Sequence, residues 1–328
     1  MDLPEPRAWD APSAWRGDSL VDYSPVGAHL PVLEEDITQM EAGTFPIDAE
    51  IVSGGGAALL GLRVQPRSVG VSVLDPEYTA FILPVSWSDD LRVNGEKVRS
   101  STLYMPGRQD GYYLRGGQRH LLAAALRRDR FVDVVAALRG VDPEEVTLNA
   151  GSLELPRAAT ARLRAEIGAL LRVGSASTPR NGRSMGSAEF AERVFGAVAD
   201  AYLQACSPAS AENGACRRAP ERIVRAAEEC FVASRARPVS LADLCAAARV
   251  GKSALYGAFQ QVCGEPPLRY FRRRQLTRAR TRLLCSEPEW GGVKRAALGA
   301  GFTELGRFSV EYRRLFGESP SVTLARSR

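Results

Sequence analysis

SLADLCAAARVGKSALYGAF, running from Ser240 to Phe259, is the stretch on which the fold turns. Ser240 is a good helix N-cap, because its hydroxyl accepts a hydrogen bond from a free N–H of the first turn. Leu241, Leu244, Cys245 and Ala248 follow at helical spacing on one face. Cys245 is small enough to let a second helix cross closely. Arg249-Val250-Gly251 makes the turn. Val250, Leu255 and Phe259 bury the next helix, whose outward positions are Lys252, Ser253, Tyr256, Gly257 and Gln260. This is the spacing of a helix-turn-helix, in which the second helix enters the major groove of DNA. A short helical hairpin inside an ordinary core shares much of the same pattern.

The pattern recurs. VKRAALGAGFTELGRFSVEYRRLF, Val293 to Phe316, sets Ala296-Ala297 against Leu244-Cys245, Gly301-Phe302 against Arg249-Val250, and Tyr312 against Phe259. The units close alike, with Gly264-Glu265-Pro266-Pro267 and Gly317-Glu318-Ser319-Pro320, and their offset moves from 52 to 53 residues. A chance hairpin is not expected to recur with the same ending. Gly301 suits a left-handed turn position. Between the units lies PLRYFRRRQLTRARTRLL, Pro267 to Leu284. Proline fits the first turn of a helix, and Leu268, Phe271, Leu276, Ala279 and Leu283 keep an apolar stripe. Arg269, Arg272, Arg273, Arg274, Arg278, Arg280 and Arg282 crowd the remaining surface. Such a helix is about 27 Å long, and it can hold two recognition helices about one turn of DNA (~34 Å) apart. No more than two or three of its arginines, Arg273 among them, are expected to touch phosphates, with the others simply solvated.

Charge divides the chain in the same place. Of 43 Lys+Arg and 38 Asp+Glu, residues 221–328 hold 20 against 10, leaving 23 against 28 for residues 1–220. A basic part beside an acidic one suggests that one half meets a polyanion, or else simply a well-solvated helical surface.

The expected fold class is α+β, a β-rich N-terminal barrel with helices followed by an all-α domain of two helix-turn-helix units joined by a linker helix. Residues 1–44 read as irregular. Residues 45–172 read as a β-rich domain, with runs at Glu50–Val52, Leu59–Val64, Val69–Leu74, Thr79–Val85, Thr102–Met105, Gly111–Arg115 and His120–Leu126. Val93-Asn94-Gly95-Glu96 reads as a hairpin turn. Helical spacing follows at Arg130–Leu138 and Arg157–Leu171. Residues 173–218 read as a linker (Val173–Gly186), a helix (Ala188–Ala205) and a polar break (Ser207–Gly214). Residues 219–328 form the helical domain.

The residues from about Ile223 to Thr323 resemble the AraC/XylS family of bacterial transcription regulators. GFTELGRFSVEYRRLFGESPSVTL, Gly301 to Leu324, is similar to the branch that regulates aromatic-acid and amine catabolism. The resemblance implies two helix-turn-helix units joined by a helix. It places base reading on Ser253, Tyr256 and Gly257, and on Leu305, Gly306 and Arg307 beside Glu304. The partners it implies are double-stranded DNA, RNA polymerase, a small-molecule effector and a second copy of the chain, through the helices at Arg157–Leu171 and Ala188–Ala205. Gly251 departs from the family, which often has serine there, as does Gln275, at a commonly basic position. Residues 45–150 resemble the family's cupin-like effector domain without a sharp motif.

Other chemistries are poorly supplied. Histidine occurs only at His29 and His120, and the six cysteines (Cys206, Cys216, Cys230, Cys245, Cys263, Cys285) include no C-x-x-C pair, so neither a metal site nor a disulfide framework is expected. Ser53-Gly54-Gly55-Gly56 lacks the Lys-Ser/Thr of a phosphate loop and reads as a hairpin turn. No nucleophile–base pairing stands out, and no cofactor or enzyme activity is expected. Trp87, Arg92, Tyr104, Tyr112, Tyr113, Arg115 and His120 are the groups available to a ligand, and an arginine would favour an acidic one. No run approaches the roughly 18 apolar residues of a membrane span, and Met1–Asp10 lacks the core of a signal peptide, so a cytoplasmic protein is expected. A nonspecific DNA-compacting protein and a cupin-type enzyme with an accessory helical domain are the alternatives.

Overall fold

Short apolar runs punctuated by Gly, Pro and Asp fold as antiparallel strands, because each break supplies the turn that brings the chain back alongside itself. The structure, a computed structural model, describes residues 13–17, 30–43, 47–65, 67–106, 112–174, 185–206, 219–234 and 239–326. Its strands are β1 (Ser13–Gly17), β2 (Val32–Gln39), β3 (Ile47–Gly54), β4 (Ala57–Val64), β5 (Ser68–Leu74), β6 (Tyr78–Trp87), β7 (Arg92–Val93), β8 (Glu96–Lys97), β9 (Thr102–Met105), β10 (Tyr112–Gly116), β11 (Arg119–Arg127) and β12 (Gly151–Glu154). They form two sheets, in the orders β1-β3-β4-β11-β6-β9-β12 and β2-β5-β10-β7-β8. Gly55 and Gly56 join β3 to β4 at φ 56° and 79°, and Asn94 and Gly95 join β7 to β8 at φ 50° and 77°. Both pairs take the positive φ angles of a type I′ turn.

The strands β4 and β11 are buried on both faces. Leu60, Leu62 and Leu121 face the space between the sheets. Leu59, Leu122, Ala124 and Leu126 point the other way, under the helices α1 (Arg128–Arg139), α2 (Arg157–Gly174) and α3 (Ser187–Ala205). Burial on both sides is why these strands read as continuous apolar runs. α3 commits Phe190, Val194, Phe195, Val198 and Tyr202 to this layer.

Two expectations change. Residues 1–44 contain strands: β1 pairs with β3 and β2 with β5, so they extend both sheets. The acidic composition of VLEEDITQ hid β2, but it lies at a sheet edge, where charge is well tolerated. The linker expected over Val173–Gly186 begins later, since α2 runs to Gly174; positions 175–184, and the break at Ser207–Gly214, lie outside the described residues.

The remainder is helical: α4 (Ala219–Ala233), α5 (Leu241–Ala248), α6 (Lys252–Val262), α7 (Pro267–Leu284), α8 (Gly292–Gly299), α9 (Leu305–Phe316) and α10 (Pro320–Ala325). It holds two separate cores. Val224, Phe231, Leu244, Leu255, Phe259 and Phe271 anchor the first, and Leu276, Leu283, Ala297, Phe302, Phe308 and Tyr312 the second. The first core also takes in Met40, Val69, Val71 and Tyr113, so it is built jointly with the β-rich domain. The alternation of β5 and β10 makes this possible. Gly70, Ser72, Tyr112 and Leu114 face the cavity between the sheets, while Val69, Val71 and Tyr113 face the helices.

Candidate nucleic-acid interface

Ser240 caps α5. Its hydroxyl accepts from the Asp243 N–H at 3.2 Å, and the Asp243 carboxylate accepts from the Ser240 N–H at 2.9 Å, a reciprocal capping box. Arg249 then ends the helix in the left-handed conformation at φ 54°, where its counterpart Gly301 has φ 90°. Glycine adopts such angles without steric cost and arginine does not. α6 starts from Gly251, which offers no side-chain cap.

α6 buries Leu255, Ala258, Phe259 and Val262 and leaves Lys252, Ser253, Tyr256, Gly257 and Gln260 exposed, Tyr256 by 41%. α9 buries Phe308, Tyr312, Leu315 and Phe316. Glu304 is its exposed N-cap residue, Gly306 and Arg307 are exposed, and Leu305 is half-buried against the second core. The exposed stripe continues through Val310 to Arg314, in steps of four from Gly306, which helical spacing in the sequence would have included. Arg307 Nε donates to Glu311 at 2.9 Å, and Arg272 Nε donates to the other carboxylate oxygen at 2.7 Å. Burial opposes the charge on Glu311, but the two arginine hydrogen bonds outweigh it and hold its carboxyl below the usual value.

Most arginines of α7 are engaged inside the protein. Arg272 lies 4.3 Å over the Phe302 ring, Arg278 4.9 Å over Phe231 and Arg280 4.7 Å over Phe316. Arg280 also pairs with Glu318 at 2.9 Å. Arg274 is buried and pairs with Glu228 and with Asp36. Arg273 donates to the Met40 carbonyl and lies 3.8 Å from Glu265, with its side chain only 17% exposed. Arg273 was expected at phosphates, but the structure holds it in the contact between domains. Arg269 and Arg282 stay exposed. Leu268, expected on the buried stripe, is exposed, and Tyr270 is buried instead.

Glu228 is the polar centre of the domain contact. Its buried carboxylate accepts from Tyr113 Oη at 2.6 Å, from Tyr270 Oη and from Arg274. Burial pushes both tyrosines well above their ordinary value, and the Glu228 charge adds to it. Nearby, Arg115 donates to Asp90 at 3.0 Å and to the Gln260 carbonyl at 3.4 Å. Tyr113 and Arg115 therefore serve the domain contact. Arg92 is tied to Asp90, and Tyr104 to Asn94. Trp87 and His120 are half-buried, and Tyr112 lines the cavity. The arginine that lines the cavity is Arg119, beside Ser72 and Tyr112 and walled by Ile37, Leu60 and Ile82. Sequence reasoning passed over it because a charged residue at a strand start reads as exposed. Among the described residues no group of three His, Cys, Asp or Glu is placed to hold a metal ion, and no helix is long and apolar enough to cross a membrane.

Comparison with known proteins places the similarity in the helical domain. Residues 244–326 match the model of a helix-turn-helix domain family. The chain is 36% identical over 105 residues to the XylDLEGF operon transcriptional activator 2 of Pseudomonas putida, covering 32% of this chain and 64% of that protein. It is 34% identical over 102 residues to a probable thc operon regulatory protein of Rhodococcus erythropolis, covering 31% of each. The chain thus spans less than two thirds of the length of these relatives. Among solved structures, a probable AraC family transcriptional regulator from Rhodopseudomonas palustris is 33% identical, with 32% of this chain and 97% of that chain covered and a TM-score of 0.27.

Proposed function

We propose that this chain is a regulator of the AraC/XylS type, a sequence-specific transcription activator controlled by a small molecule held in its N-terminal domain, a reading supported by the helix-turn-helix match over residues 244–326 and by the operon activators to which the helical domain is similar. The observation that carries the DNA-binding part is the pair of recognition helices, each with a buried apolar side and an exposed outward side, supplied by Lys252, Ser253, Tyr256, Gly257 and Gln260 in one and by Glu304, Gly306 and Arg307 in the other. Ser253 and Tyr256 read base edges, and Arg307 binds a guanine or a phosphate. Leu305 completes the helix start from its half-buried place. Activation proceeds through contact with RNA polymerase in the cytoplasm, a reading supported by the relatives' names as operon activators.

Mapping of DNA bound by the full chain across a genome tests this. Discrete sites, each with two half-sites about one helical turn apart, are expected. Uniform coverage would favour nonspecific compaction. The cavity between the sheets, about 30 Å³ as it stands, is the effector site in this reading, and the sheets must part to admit a ligand there. Its walls are apolar, and Arg119, whose guanidinium donates to the Gly116 and Gly117 carbonyls and to Ser68 Oγ, would take an apolar acid by exchanging one of those bonds for the carboxylate. Carboxylates are therefore expected to raise the melting temperature of the full chain, where amines and sugars do not. A homodimer through α2 and α3 would use the groove floored by Ala159, Gly196 and Ala197 and rimmed by the Arg193–Glu166 pair. Sedimentation as a monomer at micromolar concentration would oppose it.

A further inference from the structure

We infer that the segment Asp36–Gly43 of the β-rich domain is a splint that sets the spacing of the two recognition helices, and so selects the spacing of the two half-sites on DNA. This rests on the reading of the chain as a double helix-turn-helix DNA-binding protein. The two units do not share a core, and α7 passes from the first to the second between Phe271 and Leu276. The residues between, Arg272 to Gln275, place no buried apolar side chain in either core. Apart from Arg278, which reaches back over Phe231 of the first core, the orientation of one unit on the other thus depends on this stretch of a single helix.

The splint meets α7 at that seam. Arg273 donates to the Met40 carbonyl, and Arg274 Nε donates to Asp36 Oδ2 at 3.1 Å. Met40 itself is buried in the first core. Beyond it, Gln39 Nε2 and the Gly43 N–H both donate to the Leu315 carbonyl, at 3.2 and 3.0 Å. Leu315 lies in the last turn of α9, where carbonyls have no partner within the helix. The same Gln39 amide nitrogen lies 2.6 and 2.9 Å from the Glu41 and Gly43 carbonyls, so its two hydrogens are shared among three acceptors and hold the turn in shape as well. One short segment therefore touches the first core, the seam in α7 and the end of the second recognition helix.

The C-terminal end of α6 is held too, through the bond of Arg115 to the Gln260 carbonyl and the close fit of Gly95 over Gln261. Both recognition helices are gripped at their C-terminal ends, while Lys252, Ser253, Tyr256, Gly306 and Arg307, nearer their N-terminal ends, stay exposed. The docked arrangement leaves the recognition faces open, so it braces them for DNA.

The test uses the full chain and duplexes that the unaltered chain selects from a random library. The double variant Asp36→Ala with Gln39→Ala removes two of the splint's grips. Its preference for the selected half-site spacing over one changed by about two base pairs is expected to fall roughly tenfold, as a rigid bivalent contact becomes a loose one. Affinity for a duplex with one half-site is expected to stay within about twofold. An unchanged spacing preference overturns the splint, and so does tighter binding by the variant, which would mark the contact as an inhibitory grip. Should the double variant melt below the assay temperature, Gln39→Glu, which turns an acceptor toward the Leu315 carbonyl, is read in the same way. A selection that returns no preferred duplex counts against the DNA-binding reading itself.

Discussion

Tyr256 and Arg307 occupy the outward sides of the two recognition helices but are held differently. Tyr256 has an exposed ring, whereas Arg307 is tied to Glu311, which Arg272 also holds. This restraint suits a phosphate contact, where position matters more than reach. Replacing Tyr256 with alanine is expected to reduce discrimination between specific and nonspecific DNA by about 1–3 kcal/mol. Arg307→Ala should weaken all sequences alike and lower the salt slope by about one. Titrations at several salt concentrations separate the two, and equal loss of specificity would remove the distinction. Glu228 makes a sharper case at the same scale. Its carboxylate satisfies Tyr113, Tyr270 and Arg274 at once. Glu228→Gln leaves Arg274 a buried cation with one carboxylate fewer, so denaturant unfolding should show a loss of about 3 kcal/mol. The outward set on α6 was readable from spacing alone, because burial on a helix follows a fixed angular period. The burial of Arg273 and Arg274 was not, since the groups that receive them lie more than two hundred residues away.

At the scale of elements, the two turns should respond oppositely to substitution. Arg249→Gly relieves a strained left-handed residue and should raise stability, while Gly301→Ala introduces the same strain and should lower it, each by about 1 kcal/mol. Urea midpoints of the full chain check both, and a shift of like sign in the two variants would refute the account. The linker helix α7 shows how element type and element surroundings part company. Its helical character is plain from PLRYFRRRQLTRARTRLL, with proline at the start and good helix formers after it. Its arginine-rich surface looked solvated, yet three guanidiniums lie on aromatic rings and two are bound by the β-rich domain. Arginine can be buried this way because its plane stacks and its donors fork toward several acceptors. Conversely, β2 was hidden by its acidic run, whose Asp36 is accommodated because the buried Arg274 of α7 meets it.

At the scale of the whole molecule, the domain contact should be the part most sensitive to alkali. Burial raises Tyr113, Tyr270 and Cys263 well above their ordinary values, near 10 for the tyrosines and 9 for the cysteine, with the Glu228 charge adding to it. All three are protonated in both states below those values. Above them the unfolded chain releases protons that the folded chain retains, so stability is lost as pH rises, from about pH 9, by about 1.4 kcal/mol per pH unit for each group. Tyr113→Phe should reduce that slope by one group's share, read from denaturant unfolding between pH 8 and about 11. An unaltered slope would show that Tyr113 is not buried in solution as it is here. By itself the sequence determined the two helix-turn-helix units, the helix between them, the α+β order of the chain and the outward sides of α6 and α9. These depend on periodicity, capping and turn chemistry, all of which act within a dozen or so residues. Only the tertiary structure decided that β1 and β2 complete the sheets, that Arg119 rather than Arg92 or Arg115 lines the cavity, and that the arginines of α7 serve the domain contact. Those outcomes depend on which distant carboxylate, carbonyl or ring comes to meet a side chain, and local pattern carries no record of that.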